Sequence, residues 1–191
     1  MKKEEMSLTK SIAITAMLLA LCVASQFFKN LSVYITGPVI NLCLILAVMT
    51  VGVMWGSVLA VITPVTAFLI ASSPVMTALP VIIVFIMLGN EVLGLAVHFL
   101  FKPALLTSKA YPGVKPAVMA LLSSLAKGVF MGLTISLWLL PTFIPADSPL
   151  MNKIGVFQTT FSVVQFITAF IGFIYFFIVW IPVKKYMKRF D

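Results

Sequence analysis

Charged residues are scarce in this sequence: they fill 9% of 191 positions, and only five of them are Asp or Glu. A soluble domain carries charge at about a quarter of its positions, so this chain, folded in water, could not cover its own apolar surface. Histidine occurs once and cysteine twice. That scarcity leaves no cluster at metal-ligand spacing and no disulfide framework. There is also no Gly-rich phosphate-cradling loop and no evident nucleophile–base pair. An enzyme, a bound cofactor or a resident metal is therefore not expected. Any ATP-driven work would fall to another polypeptide.

What is abundant is apolar side chain, at 62% of positions. Apolar runs reach the length needed to cross a bilayer, about 20 residues, at roughly 10–28, 38–54, 56–72, 79–101, 115–140 and 154–183. They are continuous, without the in–out alternation of a transmembrane barrel. The expected fold is all-α: an integral membrane protein, one domain over residues 1–191, built as a six-transmembrane-helix bundle. The second and third runs are parted only by VGVMWGS, where Gly52 and Gly56, with Pro64 beyond, favour a tight hairpin over one kinked helix.

Six spans bring both termini to one side. Lys2, Lys3 and Lys10 precede the first span, Lys102, Lys109 and Lys115 flank the fourth-to-fifth connection, and Lys184, Lys185, Lys188 and Arg189 close the chain. Only Lys29 and Lys153 fall on the other side, with Lys127 inside a span. The positive-inside rule then makes both termini cytoplasmic. The net charge of +8 reflects that topology and contact with anionic membrane lipid, not nucleic acid. A cleaved leader is not expected, because Glu4 and Glu5 spoil a basic n-region and loss of the first span would upset the charge parity. Cys22 and Cys43 lie inside spans and read as small packing residues.

Two charges sit where lipid would surround the helix. Glu91, in FIMLGNEVLGLAVHF, and Lys127, in SSLAKGVFMG, fall near the centres of the fourth and fifth runs. A charge at that depth costs about 2.5–3.5 kcal/mol on insertion scales. Both are expected to point into the bundle, toward each other or toward a polar cavity, so an ion pair that fixes register and a ligand site are both open. Asn90 adjoins Glu91, and Ser123 and Ser124 lie about a turn from Lys127. Gln158 and Gln165, seven apart, share a face of the sixth helix; Asn41 stands toward the outer end of the second. An outward-open pocket with Glu91 and Lys127 at its floor would collect these groups, walled by Trp138, Tyr34 and nearby Phe residues. The stretches QFFKNLSVYITGPVINL and LPTFIPADSPLMNK, the latter holding Asp147, are candidate lids. His98, near the cytoplasmic end of its span, reads as an interfacial or packing residue.

The first run reads SIAITAMLLALCVAS, with Ala16, Ala20 and Ala24 on one helix face. Small residues at that spacing let another helix approach closely, within the bundle or from a partner. This stripe, the stretches ITGPVINLCLILAVMTVGVMWGSVLAVITPVTAFL and FIMLGNEVLG, and the six-span layout together resemble the substrate-binding (S) components of energy-coupling factor (ECF) vitamin transporters. The resemblance extends over nearly the whole chain. It implies a high-affinity binding subunit for a vitamin or vitamin precursor in the cytoplasmic membrane of a bacterium or archaeon. It also implies a transmembrane coupling (T) subunit and two ATPases as partners, with the S component toppling to carry its ligand inward. By that resemblance Ala16, Ala20 and Ala24 become the docking stripe, and Asn90 and Glu91 line the pocket. Lys127, Gln158 and Gln165 rest on depth alone. The solute is not legible: a buried Lys suits an acid such as pantothenate, nicotinate or a pterin, a buried Glu an amine or ring nitrogen. The alternative is a structural or morphogenesis protein of six spans with no small-molecule ligand.

Overall fold

A computed structural model describes residues 7–28, 32–108, 111 and 113–187, with side chains as far as Val183. Lys2, Lys3, Lys29, Lys109, Lys188 and Arg189, and the side chains of Lys184 and Lys185, lie outside the described residues. Much of the orientation expected from basic residues rests on them.

The described residues are mostly helical and contain no strand. Six helices are long and apolar enough to cross a membrane: Leu8–Gln26, Val33–Thr50, Val53–Ala71, Ile82–Thr107, Val114–Phe143 and Met151–Val183. They are named below as the first to sixth spans. A short helix, Pro74–Ala78, precedes the fourth.

The second and third spans are separate helices, and their turn is tighter than VGVMWGS suggests. It consists of Val51 and Gly52. Gly52 takes φ of 129°, a conformation that side chains disfavour, and its N–H closes the second span on the Ala47 carbonyl at 3.0 Å. Gly56 and Pro64 lie beyond the turn, inside the third span. Gly56 serves contact instead: a Cβ there would collide with the Val48 side chain.

The first connection is also shorter than expected. Ser32 caps the second helix by accepting from the Tyr34 N–H at 3.1 Å, so Tyr34, Thr36, Gly37 and Pro38 belong to the helix. What remains between the first two spans is 27–32, of which 29–31 lie outside the described residues. The fifth-to-sixth connection keeps its exposed Pro145, Asp147 and Pro149, yet Ile144 is buried and anchors it.

The sixth span is interrupted at Phe161–Ser162, between Ile154–Thr160 and the helix that begins at Val163. Two spans widen locally to π-helix, the fourth over Val97–Phe101 and the fifth over Gly132–Leu139.

Hydrocarbon gives helices no hydrophobic reason to associate, so close packing and polar contacts must hold the bundle. Two apolar clusters supply the packing. One contains Ile45, Leu59, Leu93, Phe101, Phe173 and Phe176, with Phe101 edge-on to Phe173 at 4.8 Å. The other contains Met76, Ile82, Met131, Ile135, Leu139 and Phe161. Cys22 and Cys43 are free thiols, both fully buried in the first cluster, as packing residues would be.

Candidate functional site

Between the two apolar clusters lies a layer of polar side chains. Lys127 is 3% exposed, near the middle of the fifth span. Its ammonium donates to Asn41 Oδ1 at 2.7 Å and to Asn90 Oδ1 at 2.7 Å. The asparagine Nδ2 groups continue outward, from Asn41 to Thr168 Oγ1 at 3.5 Å and from Asn90 to the Ala60 carbonyl at 3.4 Å. Three spans therefore meet at the cation, and the third and sixth join them through the asparagines. Asn41, Asn90 and Thr168 are each at most 3% exposed.

Close helix crossings make this possible. A Cβ on Gly172 would lie 2.8 Å from Asn41 Cβ, so the sixth span touches the second where Asn41 projects. A Cβ on Gly128, next to Lys127, would lie 2.7 Å from Phe166 Cβ. Gly89, next to Asn90, admits the Met131 side chain, whose sulfur would sit 2.7 Å from a Cβ there. Met131 is four residues past Lys127, hence one turn along the same face, and it is fully buried in the second apolar cluster.

The other expected site residues are not gathered here. Glu91 is half-buried and accepts from Ser57 Oγ at 2.8 Å across the third-to-fourth seam. It forms no ion pair with Lys127. Consecutive helix positions point about 100° apart, so once Asn90 turns to Lys127 its neighbour must face another span. Ser123 and Ser124 are buried but donate to the Met119 and Ala120 carbonyls of their own helix, at 2.7 and 2.8 Å. Such back-bonding satisfies the hydroxyls locally.

Gln158 and Gln165 part company because the break at Phe161–Ser162 interrupts the helix that would align them. Gln158 exchanges bonds with Ser136: its Nε2 donates to the Ser136 carbonyl at 3.0 Å, and Ser136 Oγ donates to the Gln158 carbonyl at 2.7 Å. Gln165 Nε2 reaches back across the break to the Thr160 carbonyl at 3.2 Å. Trp138 is 51% exposed, edge-on to Phe85, and Tyr34 is 49% exposed. Neither walls the lysine.

A groove of about 640 Å³ runs between the fifth and sixth spans, past Gly132, Ser136, Gln158 and Ser162. Its margins include the exposed Val129, Leu133 and Val163, so it opens to the outside of the bundle, away from Lys127. His98 packs edge-on to Phe99 at 4.7 Å in the fourth span's π-turn. Its Nδ1 is buried with no hydrogen-bond partner, and no metal-binding group of His, Cys, Asp or Glu occurs among the described residues.

Ala16, Ala20 and Ala24 are all exposed, beside the exposed Met17 and Leu21. Packing within the bundle falls to the opposite face of the first span, where Leu18 and Cys22 are buried. Sequence spacing shows the stripe; only the fold shows that it faces outward.

No protein-family model, no curated protein and no solved structure matches this chain.

Proposed function

We propose that this chain is the solute-binding membrane subunit of an energised importer for a vitamin or vitamin precursor, of the ECF type that its sequence resembles. The observation that carries the reading is the buried Lys127 ammonium held by two neutral amide oxygens. A cation at mid-bilayer is expensive, and well-packed apolar residues in place of the whole Lys127–Asn41–Asn90 set are often as stable or more so. Fold stability alone is thus a weak reason to keep a lysine there. Recognition of a solute is a better one, because ionisable groups within spans mark substrate pathways.

In this reading both termini face the cytoplasm of a bacterial or archaeal cell. The exposed Ala16, Ala20 and Ala24 dock a T subunit, which couples the chain to two ATPases. Smooth stripes of this kind let a partner helix approach to backbone distance.

A second reading has its own support. The Lys127 network joins five spans and satisfies most of its polar atoms, as a structural clamp would. Melting the detergent-purified chain against a vitamin panel separates the two. Saturating ligand at about 1,000 times Kd adds about 4 kcal/mol, so one member should raise the melting temperature by several degrees. A flat response across the panel would favour the clamp.

A further inference from the structure

We infer that the solute is a monocarboxylate, and that its carboxylate seats on Lys127 by displacing the two asparagine oxygens. The inference rests on the binding reading above and names the substrate class of that site. Sequence left acid and amine open, because Glu91 and Lys127 could share one pocket. The fold separates them. Glu91 is committed to Ser57 Oγ at 2.8 Å, and Asp147, the other described acid, is exposed in the fifth-to-sixth connection. The charge presented at the centre of the bundle is therefore +1, from Lys127.

Charge balance sets the class. One carboxylate neutralises Lys127 in a low-dielectric interior. A phosphate dianion would leave a net negative charge there, and an amine would place two cations together; both are costly. The amides are built to yield. Their oxygens hold Lys127 at 2.7 Å, but their NH₂ groups are held only at 3.5 and 3.4 Å, at the long limit for such bonds. Turning Asn41 over aims an N–H donor at the incoming carboxylate and sets its oxygen against the Thr168 hydroxyl, which can donate; Asn90, whose far side meets the Ala60 carbonyl, keeps its orientation and swings aside. One amide donor and the ammonium then meet the carboxylate oxygens, and the ammonium–carboxylate pair outweighs the ammonium–amide bonds it replaces.

The solute's body would take the place of Met131. That side chain fills the space over Gly89, one turn from Lys127 and within the cluster of Ile82, Ile135 and Phe161. A thioether on three rotatable bonds moves aside more readily than a branched residue. The solute is thus an acid with a compact, largely apolar or neutral body. A membrane fatty acid carries the same chemistry, so the test must tell the two apart.

The experiment measures melting of the purified wild-type chain with matched pairs, nicotinate against nicotinamide and pantothenate against panthenol, with decanoate as a separate arm. It is repeated with Asn90→Asp, which supplies Lys127 with an internal counterion. The expected result is protection by an acid but not by its neutral partner, abolished in Asn90→Asp although that variant melts no lower than wild type. Equal protection by both members of a pair would overturn the carboxylate assignment and leave the binding reading standing. Protection by decanoate alone would keep the assignment and overturn the micronutrient reading. No protection from any probe would overturn both.

Discussion

Lys127 Nζ lies 2.7 Å from Asn90 Oδ1, on a different helix, in the middle of the bundle. The acid next to that asparagine, Glu91, faces another span. A neutral amide thus holds the buried cation, while the carboxylate one residue away is turned elsewhere.

Lys127→Met tests whether the cation serves fold or ligand. Methionine keeps the length and apolar stem, and removes the desolvation cost. Asn41 Oδ1 and Asn90 Oδ1 are left buried without the ammonium donor, at about 1–3 kcal/mol each, so the melting temperature without ligand should fall by several degrees. Protection by the solute should vanish. Protection that persists in differential scanning fluorimetry would take Lys127 out of the ligand site.

Glu91→Gln should behave differently. The glutamine oxygen can still accept from Ser57, and a mid-depth charge is removed. Solute affinity of the isolated chain should stay within about threefold, less than 1 kcal/mol. Titration calorimetry that shows a loss beyond about tenfold would return Glu91 to the ligand site.

Much of the bundle is legible in the sequence. Six spans, a hairpin near Gly52 and the places of Asn90 and Lys127 along their helices follow from run length and position. Angular placement was not legible. Depth put Glu91 and Lys127 at one level, but the fourth span's rotation gives Lys127 to Asn90. Gln158 and Gln165 share a face only on an unbroken helix, and the break at Phe161–Ser162 has no Gly or Pro to announce it. Ser32 was the available signal for the early start of the second helix: a serine cap followed by VYITG, which reads equally well as loop.

Gly172→Val should disturb fold and ligand site together. A Cβ at 172 would sit 2.8 Å from Asn41 Cβ and 3.2 Å from the Pro38 carbonyl. Overpacking of this kind costs about 1–3 kcal/mol, and the displaced Asn41 can no longer reach Lys127. Lower melting with weaker solute protection is expected. A variant that melts lower yet binds normally would show that Asn41 is not part of the receptor.

Ala20→Trp addresses the partner. Position 20 is exposed on the outer face of the first span, so folding and solute binding of the isolated chain should be unchanged. Copurification of a T subunit and ATPases, and solute uptake by cells, should be lost. Uptake at the wild-type rate would place docking on another face.

The most direct measurement is native mass spectrometry of whatever small molecule travels with the chain from the membrane through purification. A monocarboxylic acid should be released from the wild type and be missing from Lys127→Met. A cationic or neutral molecule on the wild type, or an acid carried equally by both proteins, would contradict the carboxylate assignment.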